Sequence, residues 1–215
     1  MATSKIGIIG SGPVGQSLAA GFLKYGYSVK IGSRTPSKLK EWQDKANCST
    51  GTFDEVAAYA EILVLAVIGA SAEEALKQCK PENLAGKTII DTTNPISGSN
   101  PQTGLVSFYT SLDGSQMEKL QKTFPTAHFV KAFSCVGAHH MVDPDFAGSK
   151  PTMFICGNSG DAKKAVNEIL LKFGWEVEDM GVAEAARAIE PLCILWCIPG
   201  FRENSWNHAF KLLKK

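Results

Sequence analysis

A glycine-rich turn near the start of the chain constrains the fold more than any other feature of its 215 residues. The apolar segment Lys-Ile-Gly-Ile-Ile, residues 5–9, runs directly into Gly10-Ser11-Gly12-Pro13-Val14-Gly15, and an amphipathic helical pattern follows. A strand, a G-x-G-x-x-G turn and a helix in this order form the first unit of a dinucleotide-binding fold. Gly10 permits the tight turn, Gly12 lets the backbone approach a pyrophosphate, and Gly15 permits close packing of helix on strand.

The same alternation of apolar and amphipathic segments continues along the chain. Strands are predicted at residues 5–9, 28–31, 62–67, 88–91, 129–132, 152–156 and 175–178. Helices are predicted at residues 13–25, 37–46, 72–78, 114–123 and 161–172, with another that begins at a Thr52–Glu55 capping box. Continuous apolar strands are typical of a parallel sheet covered by helices on both faces. We therefore predict an α/β, doubly wound, Rossmann-type parallel sheet with a short C-terminal helical extension.

The C-terminal part of the chain has a different pattern, so we place a nucleotide-binding domain at residues 1–181 and a small helical extension at 182–215. Two helices are predicted in the extension, at 183–197 and 204–213, separated by Pro199-Gly200. The first is apolar on nearly every side and must therefore be buried. It packs either on the sheet or in a dimer interface.

Composition excludes several classes of protein. Lys plus Arg is 22 and Asp plus Glu is 21, and a net charge of +1 argues against binding nucleic acid through a global positive field. No apolar stretch approaches the roughly 20 residues of a membrane span, and no signal-peptide pattern is present. The six cysteines lie in apolar segments without a Cys-x-x-Cys motif, which predicts free buried thiols in a reducing compartment. We expect a cytoplasmic protein with no nucleic-acid, membrane or metal partner.

The end of the second predicted strand indicates which dinucleotide binds. NAD sites place an acidic residue there to contact the ribose, but this chain has Ser33 and Arg34, with Lys38 nearby. Residues 1–40 contain six basic side chains and no acidic one. A guanidinium can bind a phosphate dianion through two hydrogen bonds. The sequence therefore predicts NADP(H), and the missing acid also argues against a methyltransferase that uses S-adenosylmethionine.

Other predicted strand ends supply candidates for the nicotinamide end of the site. Val67 and Ile68 precede Gly-Ala and suit the face of a nicotinamide ring. Asn94 lies in a Thr-Thr-Asn-Pro turn, where it contacts either a ribose or carboxamide or only stabilises the turn. His139 and His140 either serve the second substrate, with His140 as the candidate proton donor, or brace a loop. Adjacent histidines do not readily converge on one ion, so no metal site is predicted.

A missing motif bears on the reaction. None of the four tyrosines is followed four residues later by Lys, so the Tyr-x-x-x-Lys proton donor of short-chain carbonyl reductases is missing. Hydride transfer between a nicotinamide and a flavin-like ring depends chiefly on stacking and alignment. The sequence therefore favours that chemistry over carbonyl reduction.

Four segments together resemble the NADP-dependent oxidoreductases of the deazaflavin coenzyme (coenzyme F-420) family, which includes the cytosolic domain of the six-transmembrane ferric reductases. They are residues 5–12, 32–34, 91–95 and 130–133. Residues 136–141 and 190–196 look like soluble members of the family. The resemblance implies contacts with the cofactor from Ser33, Arg34 and Lys38 at the 2′-phosphate, Val67 and Ile68 along its side, and Asn94 and the backbone near Ala132 at the nicotinamide end.

The resemblance also implies an NADPH-dependent oxidoreductase whose partner is a small-molecule electron acceptor, a deazaflavin or flavin, and whose chains commonly form homodimers. The acceptor pocket is expected between the strand ends and the C-terminal helices, lined by Phe133, His140 and Trp196. Ser134 stands where the family pattern has Asn, which bears on that pocket. Two alternatives remain open: a non-catalytic NADP(H)-binding sensor, and an imine or carbonyl reductase that uses His140 or a water as the acid.

Overall fold

The computed structural model describes residues 4–46, 48–100 and 102–215. The strands are β1 (Lys5–Ile9), β2 (Ser28–Gly32), β3 (Ser49–Gly51), β4 (Ile62–Leu65), β5 (Thr88–Asp91), β6 (Ile96–Asn100), β7 (Leu105–Phe108), β8 (His128–Lys131), β9 (Thr152–Ile155) and β10 (Glu176–Asp179). The helices are α1 (Pro13–Lys24), α2 (Lys40–Ala46), α3 (Phe53–Tyr59), α4 (Ala72–Lys77), α5 (Pro81–Leu84), α6 (Gln116–Thr123), α7 (Gly160–Lys172), α8 (Ala186–Ile189) and α9 (Leu192–Glu203).

The main sheet has six parallel strands in the order β3-β2-β1-β4-β5-β8. The chain begins at β1 in the middle, extends outward to β3, and then returns to β4 on the other side of β1. A crevice forms where the strand order reverses, and ligands of doubly wound sheets bind there, beyond the carboxyl ends of the strands. This topology confirms the predicted fold class.

Helices cover both faces of the sheet because its central strands are apolar on both sides. On one face, Ile8 packs with Leu18 and Phe22 of α1. On the other, Leu63 packs with Val56 of α3. The predicted capping box is present at α3, since the Thr52 hydroxyl accepts from Glu55 N and the Glu55 carboxylate accepts from Thr52 N at 2.7 Å. Both faces therefore hold the strand ends in fixed positions.

Three features of the sheets differ from the prediction. Strands β9 and β10 form a separate two-stranded parallel sheet, connected to the main sheet by an antiparallel bridge between Lys131 and Cys156. The short strand β3 and the β6–β7 hairpin were not predicted. Strand β6 reads Ile-Ser-Gly-Ser-Asn and is exposed along its whole length, so it carries no apolar periodicity.

The predicted C-terminal helices are wrong in two respects. A single helix over 183–197 is replaced by a 3₁₀ turn, Ala183–Ala185, and the helices α8 and α9. Helix α9 continues through Pro199 and ends at Glu203, and the C-cap residue Asn204 has a left-handed φ of 51°. Residues 204–213 are not helical. The apolar face of α9 packs within the chain, with Cys193, Trp196 and Cys197 in one cluster with Val106 of β7.

The segment after α9 returns along the small sheet. The Trp196 indole donates to His208 O at 3.0 Å, and His208 Nε2 donates to Trp196 O at 2.8 Å. Further on, Thr152 N donates to Phe210 O at 2.8 Å, and Leu212 N donates to Thr152 Oγ1 at 3.0 Å. In this segment, backbone N–H and C=O groups thus form hydrogen bonds with residues distant in sequence instead of with each other in a helix. Local sequence patterns do not predict such long-range bonds.

All six cysteines are free and buried, as predicted. Burial raises the pKa of Cys48 to about 11 and those of Cys79, Cys135 and Cys156 to about 12. Separately, no helix among the described residues combines the length and apolar character that crossing a membrane requires.

We expect these four thiols to react slowly with iodoacetamide at pH 8 in the native protein. Only the thiolate reacts, and with these raised pKa values it is a fraction on the order of 0.1% or less at that pH. Site-resolved mass spectrometry in buffer and in 6 M urea would measure the rates, the denatured chain being the control. Fast labelling of Cys135 in the native protein would contradict the prediction.

Candidate nucleotide-binding site

The glycine-rich turn leaves an open approach to the amino end of α1. Gly12 is the N-cap, no side chain caps the helix, and its first turn carries no acidic residue. The first intrahelical bond runs from Gln16 N to Gly12 O at 3.0 Å, so the N–H groups of Val14 and Gly15 have no partner within the helix. Unpaired N–H groups and the positive end of the helix dipole favour an anion. Gln16 Nε2 also donates to Ser11 O at 2.8 Å and braces the turn.

Each glycine of the turn meets a different steric demand. A Cβ on Gly10 would lie 2.1 Å from Ala66 O, and the φ of Gly10 is +123°. A Cβ on Gly15 would lie 2.1 Å from Gly10 O. A Cβ on Gly12 would meet nothing within 4 Å. The fold therefore requires glycine at positions 10 and 15. At position 12, no neighbouring atom would clash with a Cβ, so folding does not require glycine there.

The end of β2 lies beside this turn. Gly10 N donates to Gly32 O at 3.2 Å, and Ser33 N donates to Gly51 O at 3.1 Å. The Ser33 hydroxyl accepts from Thr35 N at 3.1 Å and shapes the loop. Arg34 and Lys38 are exposed, and within the described ranges neither forms an ion pair with an acidic side chain. Two cations are thus available where a 2′-phosphate is expected.

The ends of β4 and β5 form the other side of the crevice. Val67 is half-buried, while the apolar side chain of Ile68 is 77% exposed. A Cβ on Gly69 would lie 1.9 Å from Asn94 O, so the two loops touch. Asn94 Nδ2 donates to Ser134 O at 2.7 Å, but Asn94 Oδ1 is buried without a partner. Since buried polar atoms are normally hydrogen-bonded, Oδ1 is an acceptor suited to a bound ligand.

The expected acceptor pocket is only partly formed by the residues predicted to line it. Ala132 is fully buried, and Phe133 is 2% exposed and packs edge-on against Trp175. Phe133 has a left-handed φ of 61°, a strained conformation for a non-glycine residue and one that occurs preferentially at functional sites. Trp196 is 7% exposed. The aromatic rings of Phe133 and Trp196 therefore serve mainly as packing groups.

The two adjacent histidines contact the C-terminal segment. His139 and His140 belong to a 3₁₀ turn, and both Nε2 atoms lie 3.2 Å from Asn207 Oδ1. Both imidazole rings thus reach the same amide oxygen, although adjacent histidines were not expected to converge readily on one metal ion. Across the described parts of the chain, no group of three or more His, Cys, Asp or Glu side chains is arranged to hold a metal.

Sequence reasoning missed a buried ionic cluster behind the site, formed by Asp91, Lys131 and Glu190. The Lys131 ammonium lies 2.7 Å from Asp91 Oδ2 and 2.9 Å from Glu190 Oε1, and all three side chains are at most 1% exposed. Burial alone would lower the pKa of Lys131, but the two carboxylates outweigh it and raise that pKa above its ordinary value. Asp91 and Lys131 lie in segments quoted for the family resemblance, yet nothing local identifies Glu190 as their partner.

Gln116 and Tyr109 were also missed. Gln116 Nε2 donates to Gly69 O at 2.7 Å, and the Tyr109 hydroxyl donates to Gln116 Oε1. Together with Glu73 and Lys119 they line a cavity of about 300 Å³ beside the loop after β4. Burial and the nearby Glu190 carboxylate raise the pKa of Tyr109.

Comparison with known proteins identifies relatives along the whole chain. Residues 5–95 match the family model described as NADP oxidoreductase, coenzyme F420-dependent. The crystal structure of a candidate F420-dependent NADP-reductase from Arthrobacter sp. FB24 is 31% identical, with a TM-score of 0.91, and covers 99% of this chain and 100% of that one.

One curated relative and one structural neighbour extend the comparison. Metalloreductase STEAP3 of Rattus norvegicus is 31% identical over 91% of this chain, but this chain spans only 38% of the length of that protein. An imine reductase from Aspergillus terreus, solved with NADPH, is 19% identical with a TM-score of 0.68, covering 95% of this chain and 64% of that one. This last likeness shows the shared fold alone.

Proposed function

The chain belongs to the coenzyme F420-dependent NADP oxidoreductase family, and from that premise we propose that it is an NADPH-dependent oxidoreductase acting on a planar acceptor, a deazaflavin or flavin. The observation that carries the cofactor assignment is the meeting, at one sheet edge, of an uncapped helix N-terminus with the unpaired Arg34. When bound, the cofactor supplies a hydride from nicotinamide C4. The alignment of the two rings is then the main task of the protein.

Each part of the site has a distinct task in this proposal. The N–H groups of Val14 and Gly15 bind the pyrophosphate, and Ser33, Arg34 and Lys38 bind the 2′-phosphate. Val67 and the exposed Ile68 exclude water from one side of the cofactor. Asn94 Oδ1 accepts a hydrogen bond from the carboxamide and thereby fixes the rotation of the ring. We also propose that the chain forms a homodimer. Leu195 of α9 is 56% exposed and contributes apolar surface for contact with a second copy of the chain.

The titratable side chains at the nicotinamide end support an acceptor that can be reduced without a proton donated by a protein side chain. Asp91 and Lys131 come from the two motifs that meet there, but they are fully buried and paired with each other. Neither can exchange a proton with a substrate. A planar ring that accepts a hydride, and takes any proton from solvent, requires stacking rather than a general acid.

Steady-state NADPH oxidation tests the proposal. We expect turnover with at least one of a deazaflavin, FMN and FAD, and weaker turnover with NADH in place of NADPH. A panel of ferric chelates, imines and ketones is the control for acceptor class. Tight NADPH binding without turnover, with a change in oligomeric state, would instead indicate a sensor. Turnover with imines that is lost in His140→Gln would indicate an imine reductase.

A further inference from the structure

Every carboxylate oxygen in the buried cluster of Asp91, Lys131 and Glu190 has a polar partner. Asp91 Oδ2 has only the ion pair with the Lys131 ammonium, at 2.7 Å, whereas the other carboxylate oxygens accept hydrogen bonds. Glu190 Oε2 accepts from Gln116 N at 2.9 Å and Oε1 accepts from Met117 N at 3.0 Å, so this carboxylate also caps α6. Asp91 Oδ1 accepts from Thr93 N at 2.9 Å and from its hydroxyl at 2.7 Å. The amino end of α6 offsets the second negative charge that the single ammonium leaves.

Stability alone does not account for such a cluster. Removing ions from water costs several kcal/mol each, and well-packed apolar side chains of similar volume often give equal or greater stability. The cluster nevertheless joins elements distant in the chain, namely β5, β8, the start of α6 and the α8–α9 junction. Directional bonds to several elements fix their relative positions more narrowly than apolar contacts do.

The bonds from this cluster reach both loops at the nicotinamide end. Lys131 Nζ donates to Thr93 O at 2.8 Å, directly before Asn94. Gln116, held by Glu190, donates from Nε2 to Gly69 O at 2.7 Å and to Thr93 Oγ1 at 3.3 Å. Hydrogen bonds therefore connect both loops, the one with Ile68 and the one with Asn94, to the ionic cluster, through Gln116 and Lys131.

We propose that Asp91, Lys131 and Glu190 are positioning residues that hold Asn94 so that its free Oδ1 meets the nicotinamide carboxamide. This inference rests on the proposed function, since it needs a nicotinamide in the crevice. The cluster touches neither the adenosine side of the crevice nor Arg34, so its effect should be confined to the nicotinamide half of the cofactor.

The test compares two ligands on the same variants. NADPH uses both halves of the site, whereas 2′,5′-ADP carries only the adenosine and its phosphates. We expect Glu190→Gln to raise the NADPH Kd roughly tenfold, the effect of one lost oriented hydrogen bond to a ligand, and to leave the 2′,5′-ADP Kd within about twofold of wild type. Asn94→Ala should show the same pattern, and the double variant should be no weaker than either single one, because both act through Asn94.

Two further variants separate positioning from folding. Arg187→Met breaks an ion pair between α8 and Glu118 of α6, which has a 2.6 Å contact but reaches neither loop, and should leave both Kd values unchanged. Thr93→Val removes a bond within the cluster without leaving a charge unpaired, and should raise only the NADPH Kd even if Glu190→Gln does not fold. Equal changes for both ligands, or none, would overturn the positioning role. If wild type bound 2′,5′-ADP but not NADPH, or neither, the proposed function itself would be wrong.

Discussion

Arg34→Ala is expected to raise the Kd for NADPH by about 10- to 100-fold while leaving that for NADH nearly unchanged. Charge-assisted hydrogen bonds between a guanidinium and a phosphate contribute about 1.5–3 kcal/mol, and NADH lacks the phosphate that Arg34 would contact. The side chain is exposed, so its loss leaves no cavity in the core. Fluorescence titration with each nucleotide gives both constants, and salt should weaken NADPH binding more in wild type than in the variant.

Arg202→Ala is the matched control, since Arg202 is also exposed but lies on α9. It should change neither constant. If Arg34→Ala weakened NADPH and NADH equally, the side chain would contribute through the adenine or the loop rather than through the 2′-phosphate. An unchanged NADPH constant would remove the basis for assigning the phosphate to this residue.

Gly12→Val is expected to lower NADPH affinity by about 100-fold without lowering the melting temperature of the free protein. The φ of Gly12 is −75°, which valine adopts readily, and the space around a Cβ at this position is empty. The new methyl groups would occupy the approach that a pyrophosphate needs. Thermal unfolding with and without NADPH gives both quantities, because a bound ligand at free concentration L stabilises the folded protein by RT ln(1 + L/Kd) and the shift in Tm therefore reports its Kd.

Gly15→Ala gives the opposite pattern and serves as the comparison. Its Cβ would lie 2.1 Å from the backbone oxygen of Gly10, so α1 must move away from β1. We expect a loss of about 3 kcal/mol, or roughly 6–12 °C in Tm, even without nucleotide. If Gly12→Val also destabilised the free protein by this amount, glycine at position 12 would be a requirement of folding and not of binding.

The candidate nucleotide-binding half of the site could be located from sequence because its signals are local. The spacing of Gly10, Gly12 and Gly15 specifies a strand–turn–helix unit, and Ser33-Arg34 follows the next strand directly. In a parallel sheet these strand ends necessarily meet at one edge. Strands β1, β4 and β5 could also be predicted from sequence, because a strand buried on both faces consists of continuous apolar residues.

The second half of the site depends on contacts that no local pattern encodes. Glu190 lies before a proline in an apolar segment, and only the folded chain places it beside Lys131. The segment after Asn204 was predicted as a helix because its apolar spacing suits one, yet its backbone bonds to β9 instead. Propensity is a weak prior where long-range pairing is available. Strand β6 is exposed along its whole length and has no alternating apolar residues, so the sequence pattern did not predict it.

The bond between Glu190 and Lys131 also has a consequence for the order in which the chain can mature on the ribosome. The strands of the main sheet are all synthesised once Lys131 has emerged, but at that stage its ammonium has a single carboxylate, Asp91. The N–H groups of Gln116 and Met117 at the start of α6 likewise lack their Glu190 partner at that stage. Until residue 190 leaves the exit tunnel, the Lys131 ammonium therefore lacks one of its two carboxylate partners, and the elements that Glu190 joins are not yet held together. The last part of translation thus completes the cluster behind the candidate site.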